Sequence, residues 1–61
     1  MTEFSIDELC ACARREVAVR KRVYPRLIQA GKMEVEVAIR ETKMMEAITD
    51  LLESQQQPKL F

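Results

Sequence analysis

The side chains best equipped for chemistry are two cysteines and a run of arginines. Cys10 and Cys12 stand two apart in a stretch of helical character, so their thiols point to nearly opposite faces and cannot bridge each other. The chain contains no histidine, which removes the usual base that activates a thiol and the usual partner that completes a zinc site. A zinc shared between two subunits is the one metal arrangement the thiols leave open. With a single glycine there is no glycine-rich phosphate loop. The expectation is no enzyme: no catalytic residue, no metal site of its own and no cofactor. Both cysteines read as reduced packing residues of an intracellular protein.

The charges are balanced, ten cations against ten anions, but unevenly distributed. Arg14, Arg15, Arg20, Lys21, Arg22, Arg26 and Lys32 form a basic middle interrupted only by Glu16. Acids dominate before it (Glu3, Asp7, Glu8) and after it (Glu34, Glu36, Glu41, Glu46, Asp50, Glu53). A basic helix face can track phosphates, which makes a nucleic-acid-binding accessory role one reading. The zero net charge favours a solvated basic face complementing an acidic second helix.

Two helices must position these groups. Ser5 followed by Asp7 and Glu8 reads as a helix start, a hydroxyl cap with acids in the positive first turn. From Ile6, the residues Leu9, Cys10, Ala13, Val17, Tyr24, Leu27 and Ile28 recur at spacings of three and four and fall in one arc of a helical wheel. Pro25 predicts a kink or brief break near Tyr24. Gly31 stops the helix where a left-handed cap is wanted. A second helix opens near Glu34 or Val35, with Met33 as a staple before it, and carries an arc of Val37, Ala38, Met44, Met45, Ile48, Leu51 and Leu52. The resulting plan is all-α: one hairpin over residues 1–53, with helices of about 6–30 and 35–53, then a mobile tail over 54–61.

One polar residue breaks each arc, Arg20 in the first helix and Glu41 in the second. Folding the chain back about Ala30 and Gly31 sets them opposite each other. The same register pairs Tyr24 with Val37 and Ala38, Val17 with Met44 and Met45, Ala13 with Ile48, and Leu9 and Cys10 with Leu51 and Leu52. An internal Arg20–Glu41 ion pair would specify that register, since misalignment strands a charge at roughly 3–5 kcal/mol. Glu16 or the Tyr24 hydroxyl could add a contact.

A chain of 61 residues buries only a thin core and needs further support. Disulfides and metals being set aside, oligomerisation is the remaining route. Cys12, Val19, Val23 and Ala30 on one flank of the first helix, with Val35 and Ile39 outside the main arc of the second, supply a second apolar stripe. Two hairpins packed through it make a homodimeric four-helix bundle, and docking onto a host protein is an alternative use of the same stripe. No apolar run approaches membrane-spanning length and no basic-then-apolar leader opens the chain, so the expected setting is the cytoplasm.

Two resemblances carry the functional expectation. Residues 9–52 hold Ala13, Arg15-Glu16-Val17, Arg20, Val23-Tyr24-Pro25-Arg26, Ile28 and Gly31-Lys32-Met33, continued by Ala38, Glu41, Met45 and Glu46-Ala47-Ile48. This pattern resembles a group of small, mostly uncharacterised proteins encoded by bacteriophages and prophages. The resemblance implies a phage protein working in the bacterial host cytoplasm. By analogy with other tiny phage proteins, it would bind and block a host defence complex or regulator. Arg22, Arg26 and Lys32 near the turn, or Glu36, Lys43 and Asp50 on the outer second helix, would supply the contacts. The second resemblance is in the tail. Gln57-Pro58-Lys59-Leu60-Phe61 resembles the Q-L-x-L-F peptide by which bacterial polymerases and repair proteins dock on the DNA sliding clamp. Gln57, Leu60 and Phe61 match, with Pro58 in place of the leucine.

Overall fold

The first helix starts where a hydroxyl and a carboxylate satisfy each other's backbone. In the computed structural model, which describes residues 2–56, α1 spans Ile6–Gln29 and α2 spans Val35–Glu53. The described residues contain no strand, and the architecture is an all-α antiparallel hairpin. The Ser5 hydroxyl accepts from the Glu8 N–H at 3.1 Å, and the Glu8 carboxylate accepts from the Ser5 N–H at 3.0 Å. This reciprocal box satisfies two of the donors that a helix start leaves unpaired.

No break interrupts α1 at Pro25, where the sequence predicts a kink or break. Proline withholds one N–H, so it is the Lys21 carbonyl that loses its helical donor. The neighbouring bonds carry the helix across the gap. The end of α1 is a paired lock. The Gly31 N–H reaches the Ile28 carbonyl at 3.0 Å and the Lys32 N–H reaches the Leu27 carbonyl at 2.9 Å. That pattern needs a left-handed residue between them, and Gly31 supplies it at φ 72°. The chain then re-enters helix at Glu34, an extended cap residue whose side chain makes no capping bond.

The described chain runs three residues beyond α2. Gln55 and Gln56 continue as turns from the end of α2. The Gln56 side chain then ties the open end of the hairpin together, donating to Asp7 at 2.9 Å and accepting from Arg14 at 3.2 Å. Residues 57–61, including the tail motif Gln57, Leu60 and Phe61, lie outside the described residues.

The seam between the helices is built from small side chains. Cys10, Ala13, Ala38 and Thr49 are the buried residues among those described. Leu9, Val17, Tyr24, Leu27 and Ile28 on α1 flank them half-buried, as do Thr42, Met45 and Leu52 on α2. The Thr49 hydroxyl donates to the Met45 carbonyl at 2.8 Å, which satisfies its polarity inside its own helix and lets it occupy an apolar position.

This seam corrects the expected pairing. Ala38, Met45 and Leu52 face α1 as the register requires, but Val37, Met44, Ile48 and Leu51 do not. Those four are exposed, Ile48 by 49% and Leu51 by 63%. Thr49 takes the place opposite Ala13 that was assigned to Ile48. A single partner helix covers only a narrow stripe of its neighbour, and the apolar arc of α2 is wider than that stripe. Four of the seven residues of the arc are left in solvent.

Candidate functional site

Each helix advances by about 100° per residue. In an antiparallel pair, positions rotated by the same amount and sense from the seam emerge on the same side of the hairpin. The cross-helix ion pairs establish which side is which. Lys21 meets Glu46 at 2.9 Å, and Arg14 meets Glu53 in a second bridge. All four residues lie on the positive-rotation flank of their helix. The first side of the hairpin is therefore stitched across by ions.

The second side is apolar. It carries Cys12, Val19 and Val23 from α1 and Val37, Met44, Ile48 and Leu51 from α2. All but the half-buried Val23 are exposed. Periodicity alone points to Cys12, Val19 and Val23 as a contact stripe, and the structure places them together. Val35 and Ile39, assigned to the same interface from sequence, emerge on the opposite side of α2. Ile39 there borders a shallow hollow with Lys21, Tyr24 and Pro25. The exposed apolar residues that sequence reading placed elsewhere are the four α2 side chains it assigns to the core. The signal was present in the width of the α2 arc, which exceeds what one partner helix can cover.

A charged group sits within this apolar side. Arg20, 22% exposed at its side chain, bonds the Glu16 carboxylate at 3.0 Å and donates to the backbone carbonyl of Glu41 at 2.8 Å. The Glu41 carboxylate is 3.8 Å from the guanidinium and is 40% exposed. The pair expected between Arg20 and Glu41 forms, but at the edge of the seam and chiefly through the main chain. Glu16 supplies the added contact, and Tyr24 makes no side-chain hydrogen bond among the described residues. The Glu16 bond, opposed by partial desolvation and supported by the nearby charges, holds the guanidinium above its usual range.

The remaining arginines of α1 face outward. Arg15, Arg22 and Arg26 are exposed at spacings of seven and four, a row about 16 Å long on the outer surface of α1. None of them enters a salt bridge among the described residues. Lys32 continues the row into the turn. Glu36, Lys43 and Asp50 do not form one patch. Glu36 and Lys43 border a hollow with Ile39, Arg40, Met44 and Ala47, whereas Asp50 lies about 21 Å beyond Glu36 and about 10 Å beyond Lys43 along α2, beside Arg14 and Glu53.

Cys10 is fully buried in the seam and Cys12 stands exposed on the apolar side. Among the described residues, no group of three or more His, Cys, Asp or Glu is placed to hold a metal. Among the described residues, no helix is long and apolar enough to cross a membrane. No family model, curated protein or solved structure matches the chain.

Proposed function

We propose that the chain is a non-enzymatic binding protein that occludes the surface of a bacterial host protein. The observation that carries this reading is the outer row of Arg15, Arg22 and Arg26. The other cations of α1 are consumed within the hairpin: Arg14 by Glu53, Lys21 by Glu46, and Arg20 by Glu16 and Glu41. Three guanidiniums left free on a rigid helix present fork-shaped donors at fixed spacing, suited to carboxylates on a partner. The resemblance around Val23-Tyr24-Pro25-Arg26 makes a phage protein acting in its host the context, and Arg26 belongs to both the resemblance and the row.

The same row could contact phosphate, and the test separates the two. Tagged protein is passed through nuclease-treated host lysate beside a variant carrying R15E, R22E and R26E, with circular dichroism confirming that the variant stays helical. The expected result is a discrete host protein retained by the native chain and lost with the variant. Binding to nucleic acid alone, weakening steeply as salt rises, would overturn the reading. So would a host protein retained equally by both.

A further inference from the structure

The hairpin spends one of its two sides on cross-helix ion pairs and leaves the other apolar, and the layout of that apolar side identifies what covers it. We infer that a second copy of this chain packs on the side formed by Cys12, Val19, Val23, Val37, Met44, Ile48 and Leu51, with the two turns at opposite ends of the resulting four-helix bundle.

Three observations converge on this arrangement. The first is size. Among the described residues the hairpin buries only four, too thin a core for an isolated two-helix chain. The apolar side chains run from Cys12 to Val23 on α1 and from Val37 to Leu51 on α2, about 17 Å and 21 Å by the helical rise, and all but Val23 stand exposed.

The second is internal symmetry. Cys12 and Val23 are equidistant from a point between Val17 and Ala18, and Val37 and Leu51 are equidistant from Met44. These two midpoints lie level with each other, because Arg20 bonds the Glu41 carbonyl and each midpoint is two to three residues further from the turn. A two-fold axis crossing the helices there sets α1 over α1 and α2 over α2. Cys12 meets Val23 of the second copy, Val37 meets its Leu51, and Met44 meets its Met44. The charged group is self-complementary under the same operation. Glu16 of each copy comes to within about a residue of level with Arg20 of the other, so the charges inside the interface oppose in sign.

The third is charge along the rod. Residues 18–43, the turn half, carry seven cations and three anions, whereas residues 2–17 and 44–56, the open half, carry two cations and seven anions. Turns at opposite ends lay each basic half against an acidic half. Turns at the same end would stack like on like.

The inference does not rest on the proposed host-protein contact: Arg22 lies furthest from the apolar side, and Arg15 and Arg26 stand at its border, about 40° and 20° from Val19 around α1. It is tested by sedimentation and by directed disulfides. Native protein is expected to sediment as a dimer at micromolar concentration, and Met44→Glu, which places two carboxylates together at the two-fold axis, to weaken that dimer at least tenfold. Because that variant could also lose its fold, the decisive measurement is Val23→Cys under mild oxidation. It should form covalent dimers through Cys12, abolished when Cys12 is replaced by Ser. Met44→Glu sedimenting as a dimer of native strength would overturn the inference. A strict monomer would also overturn it, as would Val23→Cys failing to cross-link. An intermolecular bridge from Cys12 to Ile48→Cys would do so too, since those positions meet only when the turns share one end.

Discussion

Arg20 reaches Glu41 mainly through its backbone: the guanidinium donates to the carbonyl at 2.8 Å while the Glu41 carboxylate stands 3.8 Å away. The two contacts respond differently to mutation. Glu41→Ala removes a half-exposed carboxylate but leaves the 2.8 Å bond in place, so its cost in urea denaturation should stay within about 1 kcal/mol. Arg20→Met removes the guanidinium from both Glu16 and the Glu41 carbonyl, and should lower the urea midpoint more than Glu41→Ala does. The reverse order would show the carboxylate, not the carbonyl, to be the main partner. Both variants are compared at one protein concentration, so that any association contributes equally.

Ala13 and Ala38 are each 5% exposed on opposing faces of the seam, and their methyl groups set how closely the helices approach. Ala38→Leu adds three carbons where the neighbouring helix already packs. It should destabilise by about 1–3 kcal/mol through overpacking. The same change at exposed Ala47, on the outside of α2, serves as the control, since leucine is nearly as good a helix former as alanine. Equal urea midpoints for the two variants would mean that the helices do not meet at Ala38.

The helices and their turn were legible because their signals are local. Ser5 and Glu8 satisfy each other within a single helical turn, and Gly31 is needed by the backbone whatever packs around it. Arg20 and Glu41 were legible as a pair because a charge inside an apolar arc demands a partner. The division of the α2 arc between seam and solvent was not. Periodicity gives the direction of the arc but not which part of it the neighbour covers, so Ile48 and Thr49 exchanged places. Thr49 was hidden further because its hydroxyl is satisfied by Met45 and shows no partner in the sequence pattern. The closure of the open end through Gln56, Asp7 and Arg14 depends on an amide side chain, which carries no periodic signal. Of the candidate site, Cys12, Val19 and Val23 could be read from the wheel of α1. Their α2 counterparts needed the geometry of the hairpin.

Gly31 makes a prediction separable from packing. An added Cβ would meet nothing within 4 Å, but the residue sits at φ 72°. Gly31→Ala should therefore cost about 1 kcal/mol from backbone strain alone. Gly31→Asn, a residue that tolerates the left-handed region better, should recover part of that loss. The ranking of melting temperatures Gly, then Asn, then Ala checks this. An alanine variant as stable as the native chain would place position 31 outside the left-handed region.

Pro25 offers the opposite sign. It lies within a continuous α1, where proline withholds a donor from the Lys21 carbonyl and crowds the preceding turn, at a cost of up to about 3 kcal/mol relative to alanine. Part of that cost is offset because proline also restricts the unfolded chain, by about 0.4–1 kcal/mol. Pro25→Ala should thus stabilise the hairpin by about 2 kcal/mol, an unusual outcome for a change within a helix. Pro25 also borders the hollow lined by Tyr24, Ile28 and Ile39, and the lost ring contacts there act against the gain. Hydrogen exchange separates the two contributions. If the helix is continuous, the new amide at position 25 finds the Lys21 carbonyl waiting and exchanges as slowly as its helical neighbours. A fast-exchanging amide, with a lowered melting temperature, would show that α1 is bent open at this point and that proline is matched to the bend.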